Sequence, residues 1–368
     1  MTHKLSSMQT FTLMLVCLLG TSIIFGAPKT VPDNWLIELI SVIPAILLFL
    51  MYVSIISLDA RKGFYALLDL AWGRYLGKVM VLSYSVYFLY VAARNVRDML
   101  ELVMTALLRS TPPQLVVLLF VLLIAYAAYG GLKTLGRLSE LILGLILLFF
   151  ITLAIFLAIS GSLVPERMLP FLSKGIAPIV KEIFTSTVWF PYGEVIVFLI
   201  LIPGIGSPAK FRKLGITAFL TASILLSFSD LIQMWSLGME FEKYSEFPLL
   251  DAARLINVAD FISRMDALVA MIIIFSVLVK CAVFLFAGVK GVSFVFRSIS
   301  QSYVYPLALF VGATSMMITH SFAEHSKEGL FYAVYMVHIP FQFVVPLLTG
   351  IVVWIRLKRR GTLRANNG

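Results

Sequence analysis

Long apolar runs, separated by short polar or basic segments, follow one another along the whole chain. A helix needs about 20 consecutive apolar residues to cross the hydrocarbon core of a bilayer. The pattern predicts ten transmembrane helices, at about 9–27, 35–58, 78–106, 113–130, 139–161, 183–203, 214–237, 265–289, 303–320 and 330–355. We therefore expect an all-α integral membrane protein with a single transmembrane domain over residues 1–368.

The composition supports this class and excludes others. Apolar residues make up 60% of the chain and charged residues 13%, with a mean hydropathy of +0.99. Soluble domains carry about 25% charged residues, so a soluble globular protein is excluded. The histidines lack metal-ligand spacing, and no HExxH, CxxC, P-loop or nucleophile-elbow motif occurs. We expect neither an enzyme nor a bound metal or cofactor.

The net charge of +10 is divided unevenly between the two sides of the predicted bundle. With the N-terminus placed in the cytoplasm, 17 basic residues fall on the cytoplasmic side and nine on the external side. The positive-inside rule then places both termini in the cytoplasm. Membrane orientation accounts for the basic excess, and we expect no nucleic-acid partner.

The ten predicted spans divide into five and five at a polar segment that contains proline and glycine. An odd number of spans per half gives the second half the opposite orientation, which makes an inverted repeat if the halves share a fold. The predicted parts are a first repeat, an external linker, a second repeat and a basic cytoplasmic tail, at 1–161, 162–182, 183–355 and 356–368.

Helix-breaking residues interrupt the first and the sixth predicted span at corresponding places. Residues 20–22 read Gly-Thr-Ser, and residues 190–193 read Phe-Pro-Tyr-Gly. A backbone group without a helical partner costs several kcal/mol in hydrocarbon, so such breaks persist where protein, water or a ligand satisfies it. Two matched breaks indicate the midplane substrate site of a broken-helix transporter.

The predicted ligand site combines small residues at the breaks with aromatic residues near them: Gly20, Thr21, Ser22, Tyr87, Trp189, Phe190, Tyr192 and Gly193. Freed N–H groups of the half-helix after the first break would attract a carboxylate. The rings offer surface for a ligand side chain or for a gate. The alternatives are a small-residue packing face in span one and a purely packing role for Tyr87.

Two charged residues fall inside predicted spans. Glu194 follows the second break, and an intramembrane carboxylate is functional by default, usually with a partner. It is a candidate proton carrier, a counter-charge for a substrate ammonium, or half of a structural ion pair. Lys280, near the cytoplasmic end of span eight, is its candidate partner. Its ammonium would also lie where sodium-coupled transporters of this architecture hold a cation between spans one and eight; the alternative is snorkelling to the inner surface.

Charged pairs at i,i+4 spacing end the third span, Arg94 with Asp98 and Arg97 with Glu101. We expect them to cross-link the external end of the bundle, with a role in substrate gating as the alternative. The external segment 238–264 shows mixed three- and four-residue apolar spacing, which predicts either a surface-lying amphipathic helix over the vestibule or a solvated loop.

Together these features resemble the spore germinant-receptor B subunits, the GerAB-type family of endospore-forming bacteria, within the amino acid–polyamine–organocation superfamily. The resemblance extends over nearly the whole chain in length, helix count and topology. The residues that carry it are Gly20, Arg97–Glu101 with Thr111-Pro112, Tyr129–Arg137, Phe190–Gly193, Phe247 to Arg264, Lys280 and the basic tail.

The resemblance implies a ten-helix, LeuT-like fold with a 5+5 inverted repeat in the spore inner membrane. It also implies an A subunit and a lipid-anchored C subunit as partners, and a small germinant, commonly an amino acid, bound around the two breaks. The function this predicts is a germinant-sensing subunit. The alternatives are a proton-coupled amino-acid permease, and a membrane scaffold or ion-pathway subunit without a ligand of its own.

Overall fold

The computed structural model describes residues 4–26, 31, 33–59, 63–258, 262–263, 265–318, 324–325 and 328–366. Within these residues the chain is helical, apart from one antiparallel pair of two-residue strands, Asn257–Val258 and Ile262–Ser263. The α-helices are α1 Ser7–Leu19, α2 Ser22–Phe25, α3 Asn34–Ser57, α4 Phe64–Trp72, α5 Leu76–Ala106, α6 Pro113–Tyr129, α7 Gly131–Ile159, α8 Ala177–Glu182, α9 Phe198–Ile205, α10 Pro208–Leu237, α11 Met239–Glu242, α12 Pro248–Arg254, α13 Asp266–Phe296, α14 Val304–Met317 and α15 Val345–Asn366.

Other helical turns connect or extend these elements. They are the 3₁₀ turns Pro165–Met168, Tyr192–Val197 and Ser300–Tyr303, and the π-helical stretches Ile183–Thr187, Glu328–His338 and Pro340–Val344. Among the described residues, seven helical stretches are long and apolar enough to cross a membrane: Asn34–Ser57, Leu76–Ala106, Gly131–Ile159, Ala177–Ile205, Pro208–Leu237, Asp266–Phe296 and Tyr332–Arg359. Two shorter apolar helices are Ser7–Leu19 and Pro113–Tyr129. The chain is thus a multi-pass membrane protein, and the count of ten crossings stays a prediction.

Local sequence sets where the helices begin. The hydroxyl oxygen of Ser6 accepts a hydrogen bond from the backbone N–H of Gln9, and the Gln9 side chain returns one to Ser6, which closes a capping box before α1. At the start of α10 the Ser207 hydroxyl oxygen accepts a hydrogen bond from the backbone N–H of Lys210, and Pro208 takes the first helical position. The first cap starts the helix that ends at the first break, and the second starts the long helix that follows α9.

Helix α13 lies in the middle of the bundle. It packs along α5 and also contacts α1, α6, α7 and α12, while α10 packs along α3 and against α1. Most α13 side chains are buried, as expected of a helix that is apolar on all sides. Lys280 lies half-way along this helix, not near its cytoplasmic end as the sequence indicates, and its side chain is 0% exposed. Snorkelling to the inner surface is therefore wrong.

The segment 238–264 forms two short helices and the strand pair instead of one long amphipathic helix. Helix α12 buries Leu249, Leu250, Ala252 and Ala253 against α10 and α13, and it ends at Arg254. The apolar periodicity predicts the buried side of α12, but the helix is shorter than the pattern. Phe261 and Arg264, which belong to the family resemblance, lie outside the described residues.

Candidate ligand-binding site

The break in the first helical region lies between α1 and α2. Helix α1 ends at Leu19, and Gly20 takes φ +34° and ψ −126°, a conformation that favours glycine. A methyl group on Gly20 would lie 2.8 Å from Cδ and 3.1 Å from Nζ of Lys280. The Gly20 carbonyl oxygen accepts a hydrogen bond from the Ser276 hydroxyl at 2.9 Å. The predicted break is confirmed. Two side chains of α13, Lys280 and Ser276, pack against it.

A buried ion pair joins the two breaks. Nζ of Lys280 lies 2.6 Å from Oε2 of Glu194, and the two side chains are 0% and 5% exposed. The same ammonium lies 4.8 Å above the centre of the Phe190 ring, within the range of a cation–π contact. The ion pair is thus confirmed among the possibilities for Glu194. In low-dielectric surroundings neither charge is tolerated alone, so the two residues depend on each other.

The second break runs from the end of the π-helical turn at Thr187 to the 3₁₀ turn that begins at Tyr192. Gly193 contacts the side chain of Gln342, and a methyl group at Gly193 would overlap that amide. The Tyr52 hydroxyl also reaches this point, 3.4 Å from the Gly193 carbonyl oxygen. The last transmembrane region therefore covers the break at Gly193, which sequence reasoning missed.

Tyr87, a predicted site residue, belongs to a buried polar cluster with Gln342 and His338. Nε2 of Gln342 donates to the Tyr87 hydroxyl at 2.8 Å and lies 3.2 Å from Nδ1 of His338. The Tyr87 hydroxyl lies 3.1 Å from the same Nδ1. The Tyr87 ring stacks on Phe341 with their centres 4.9 Å apart. His338 and Gln342 were missed because their helix carries no obvious break; Pro340 between them is the one local signal.

Three buried hydroxyl groups at the breaks have no hydrogen-bond partner among the described residues. They belong to Thr21 and Ser22 at the first break and to Thr187 just before the second. Buried polar groups in native proteins are nearly always satisfied, so these hydroxyls are available to a ligand or to water. Thr21 and Ser22 are predicted site residues, and Thr187 is an additional one.

Two predicted aromatic residues face elsewhere. The Tyr192 hydroxyl donates to Oε2 of Glu38 on α3 at 3.3 Å, and its ring packs on Phe219 with centres 5.4 Å apart. The Trp189 indole N–H donates to the Phe184 carbonyl oxygen at 2.8 Å, and the ring is half-buried. A ligand role for either ring stays a prediction.

The end of α5 near Ala106 carries the predicted charged pairs. Arg97 and Glu101 form an ion pair at i,i+4 spacing, as predicted. The Arg94–Asp98 pair is wrong, because both side chains turn to the segment before the last helix. Asp98 lies 2.9 Å from Nε2 of His325. Arg94 donates to the His325 carbonyl oxygen at 2.9 Å and lies 3.9 Å from Glu328. These contacts tie α5 to the last helical region.

The family model described as "Spore germination protein" matches residues 4–327. The chain belongs to this family. It is 29% identical over 359 residues to spore germination protein KB of Bacillus subtilis (strain 168), covering 97% of this chain and 96% of that protein. Spore germination protein YndE of the same organism is 23% identical over 323 residues, with 86% and 88% covered.

A solved structure places this member of the spore germination protein family in a fold class. The crystal structure of MhsT in complex with L-phenylalanine superposes with a TM-score of 0.61 and 14% identity, covering 95% of this chain and 88% of MhsT. MhsT has the LeuT fold, so the predicted LeuT-like architecture with two broken helices is confirmed at the level of fold.

Proposed function

We propose that the chain is the germinant-sensing subunit of a spore germination receptor. In this proposal a small nutrient, an amino acid, binds between the two breaks and shifts the protein between two conformations. A sensor requires only that the ligand binds one conformation more tightly than the other. The observation that carries the proposal is the set of buried, unpartnered hydroxyls of Thr21, Ser22 and Thr187 at both breaks. Family membership supplies the biological process.

The Lys280–Glu194 pair supports a particular version of this proposal. The ammonium lies between the α1 break and α13, within 3.1 Å of where a Gly20 side chain would begin. A positive charge that is part of the chain takes the role a bound metal cation would have there, and we propose that ligand binding requires no sodium. In this version the ion pair is a positioning element that holds both breaks beside the ligand.

The proposed topology, location and partner subunits are those that the family resemblance implies. We propose ten transmembrane helices in a 5+5 inverted repeat, both termini in the cytoplasm, and residence in the spore inner membrane. The same proposal includes an A subunit and a lipoprotein C subunit as partners, and a role for Arg97, Asp98 and Glu101 at the external end of the bundle. The charged contacts of α5 with the last helical region support that end as a gate.

A thermal-shift screen of the detergent-purified protein tests the ligand site. Amino acids, sugars and nucleosides are compared, since a ligand at a hundredfold excess over its Kd stabilises the native state by about 2.7 kcal/mol. We expect a shift with one or more amino acids that is lost in the Thr21→Ala/Ser22→Ala double variant. Ser54→Ala, at an exposed serine of α3, is the matched control and retains the shift. If no compound shifts the unfolding temperature, the result would favour the alternative of a membrane scaffold without a ligand of its own.

The buried ion pair also supports a second candidate, a proton-coupled amino-acid permease in which Glu194 or Lys280 releases its proton during transport. Uptake of the stabilising ligand into proteoliposomes separates the two. A receptor binds without accumulating the ligand under an imposed proton gradient, whereas a permease accumulates it.

A further inference from the structure

The last helical region departs from α-helical geometry over a long stretch. Residues Glu328–His338 and Pro340–Val344 are π-helical, and we call these two runs the widened segment. π-helical geometry is rare, occurs mostly as single turns, and is frequent at functional sites. Two such runs almost end to end therefore indicate a constraint beyond packing.

Two buried tyrosines hold the widened segment in place. The Tyr84 hydroxyl donates to the Phe341 carbonyl oxygen at 2.7 Å, and the Tyr52 hydroxyl donates to the Gln342 carbonyl oxygen at 2.6 Å. Tyr52 belongs to α3 and Tyr84 to α5, so two neighbouring helices bond consecutive carbonyl groups. These bonds satisfy buried backbone acceptors and fix the direction of the Gln342 side chain.

Gln342 is 0% exposed, yet only one end of its amide is satisfied. Nε2 donates to the Tyr87 hydroxyl and lies 3.2 Å from Nδ1 of His338. Oε1 lies over Gly193 and has no hydrogen-bond donor among the described residues. A buried acceptor without a donor is unfavourable, and in native proteins it calls for a partner that completes it.

Consecutive residues of the second break face opposite neighbours. Glu194 meets Lys280 beside Gly20, on the side of α13. Gly193 meets Gln342, on the side of the widened segment. The proposed function places an amino acid between the two breaks. If its charged amino and carboxylate groups lie at the first break, Gln342 is placed to meet the other end of the molecule.

We propose that Gln342 is a specificity-determining residue, whose Oε1 accepts a hydrogen bond from the side chain of the amino-acid ligand. The receptor would then select side chains that carry a hydroxyl or an amide over aliphatic side chains of the same shape. This inference rests on the proposed function. It adds the class of ligand, a polar uncharged amino acid, and a helix that sequence reasoning left out of the site.

The test uses ligand pairs of equal shape: asparagine against leucine, and threonine against valine. Dissociation constants are measured by thermal shift or isothermal calorimetry on the full-length protein. We expect the polar member of each pair to bind at least about tenfold more tightly, because a site built to hydrogen-bond a group rejects analogues without it. Gln342→Met, which keeps the length of the side chain, should remove this preference while leucine and valine bind as well as before or better.

Gln233→Met is the matched control, since Gln233 is a fully buried glutamine of α10 whose amide bonds Ser229. It should keep the preference. Equal weakening of all ligands in Gln342→Met would show a merely structural role and overturn the inference. A wild-type protein that binds amino acids without favouring the polar members also overturns it and leaves the proposed function intact. A wild-type protein that binds no amino acid would overturn both this inference and the proposed function.

Discussion

The Ser276 hydroxyl lies 2.9 Å from the carbonyl oxygen of Gly20 and 2.7 Å from that of Ile272, one turn before Lys280 on the same helix. α13 therefore contacts the first break twice, once through a neutral hydroxyl that satisfies a freed carbonyl and once through the stem of a lysine. Changes at Gly20, Lys280 or Ser276 should thus act on the same element.

Gly20→Ala should destabilise the protein. The substitution places a methyl group 2.8 Å from Cδ of Lys280 on a backbone with φ +34°, and together strain and overlap cost about 1–3 kcal/mol. Thermal unfolding in detergent measures the loss. Gly73→Ala is the control, because Gly73 also has positive φ, +81°, but its methyl group would meet nothing within 4 Å. Equal losses in the two variants would count against contact with Lys280.

Lys280→Met and Glu194→Gln should each be strongly destabilising, and the double variant much less so. Removing one partner leaves the other charge buried and alone, at about 3–5 kcal/mol, whereas a neutral pair avoids that cost. A double-mutant cycle measures the coupling. The half-buried Arg97–Glu101 pair serves for comparison, and Arg97→Gln should cost about 1 kcal/mol or less. A coupling between Lys280 and Glu194 as small as that would contradict a structural ion pair.

Ligand binding should not depend on sodium. We expect the Kd of the stabilising amino acid to stay within about twofold when sodium chloride is replaced by choline chloride, because the Lys280 ammonium lies between the first break and α13. The measurement is a ligand titration in both salts at equal ionic strength. A tenfold or larger weakening without sodium would show that a bound cation is needed and that the lysine does not replace it.

Gly193→Ala should abolish the ligand-dependent thermal shift and lower stability by about 1–3 kcal/mol, since the added methyl group overlaps the Gln342 amide. Shortening that side chain in Gly193→Ala/Gln342→Ser should restore much of the lost stability. Gly144→Ala is the control: it lies inside α7, its methyl group meets nothing within 4 Å, and helix propensity favours the change by about 1 kcal/mol. Failure of the shortened glutamine to restore stability would argue against the overlap.

Much of the fold was predictable because its signals are local. Apolar length indicates the spans, and the Arg97–Glu101 pair follows from helix geometry over a single turn. The partnership of Lys280 with Glu194 was predictable as one of several options, because a charge in the membrane requires a partner and the chain offers few. Local signals do not show which neighbouring helix a side chain points to. Tyr192 follows the second break in sequence, yet its hydroxyl turns to Glu38 on α3.

The partners of Asp98 and Gly193 were not predictable from the sequence. Asp98 meets His325, 227 residues away, although Arg94 stands one turn before it on the same helix. Gln342 contacts the second break from within the widened segment, and no residue pattern in the sequence indicates π-helical geometry. Both contacts depend on how the last helical region packs, which hydrophobic periodicity does not encode.

The lysine beside the first break has a consequence for energy supply. A sodium ion can arrive from one side of a membrane and leave on the other, and that passage is what lets a transporter harness an electrochemical gradient. The Lys280 ammonium is covalently attached to α13 and cannot cross the membrane. In the proposed sensor, no sodium gradient acts on the ligand through this position, and the nutrient concentration sets the fraction of molecules in each conformation. Such a protein reports the nutrient concentration without changing it.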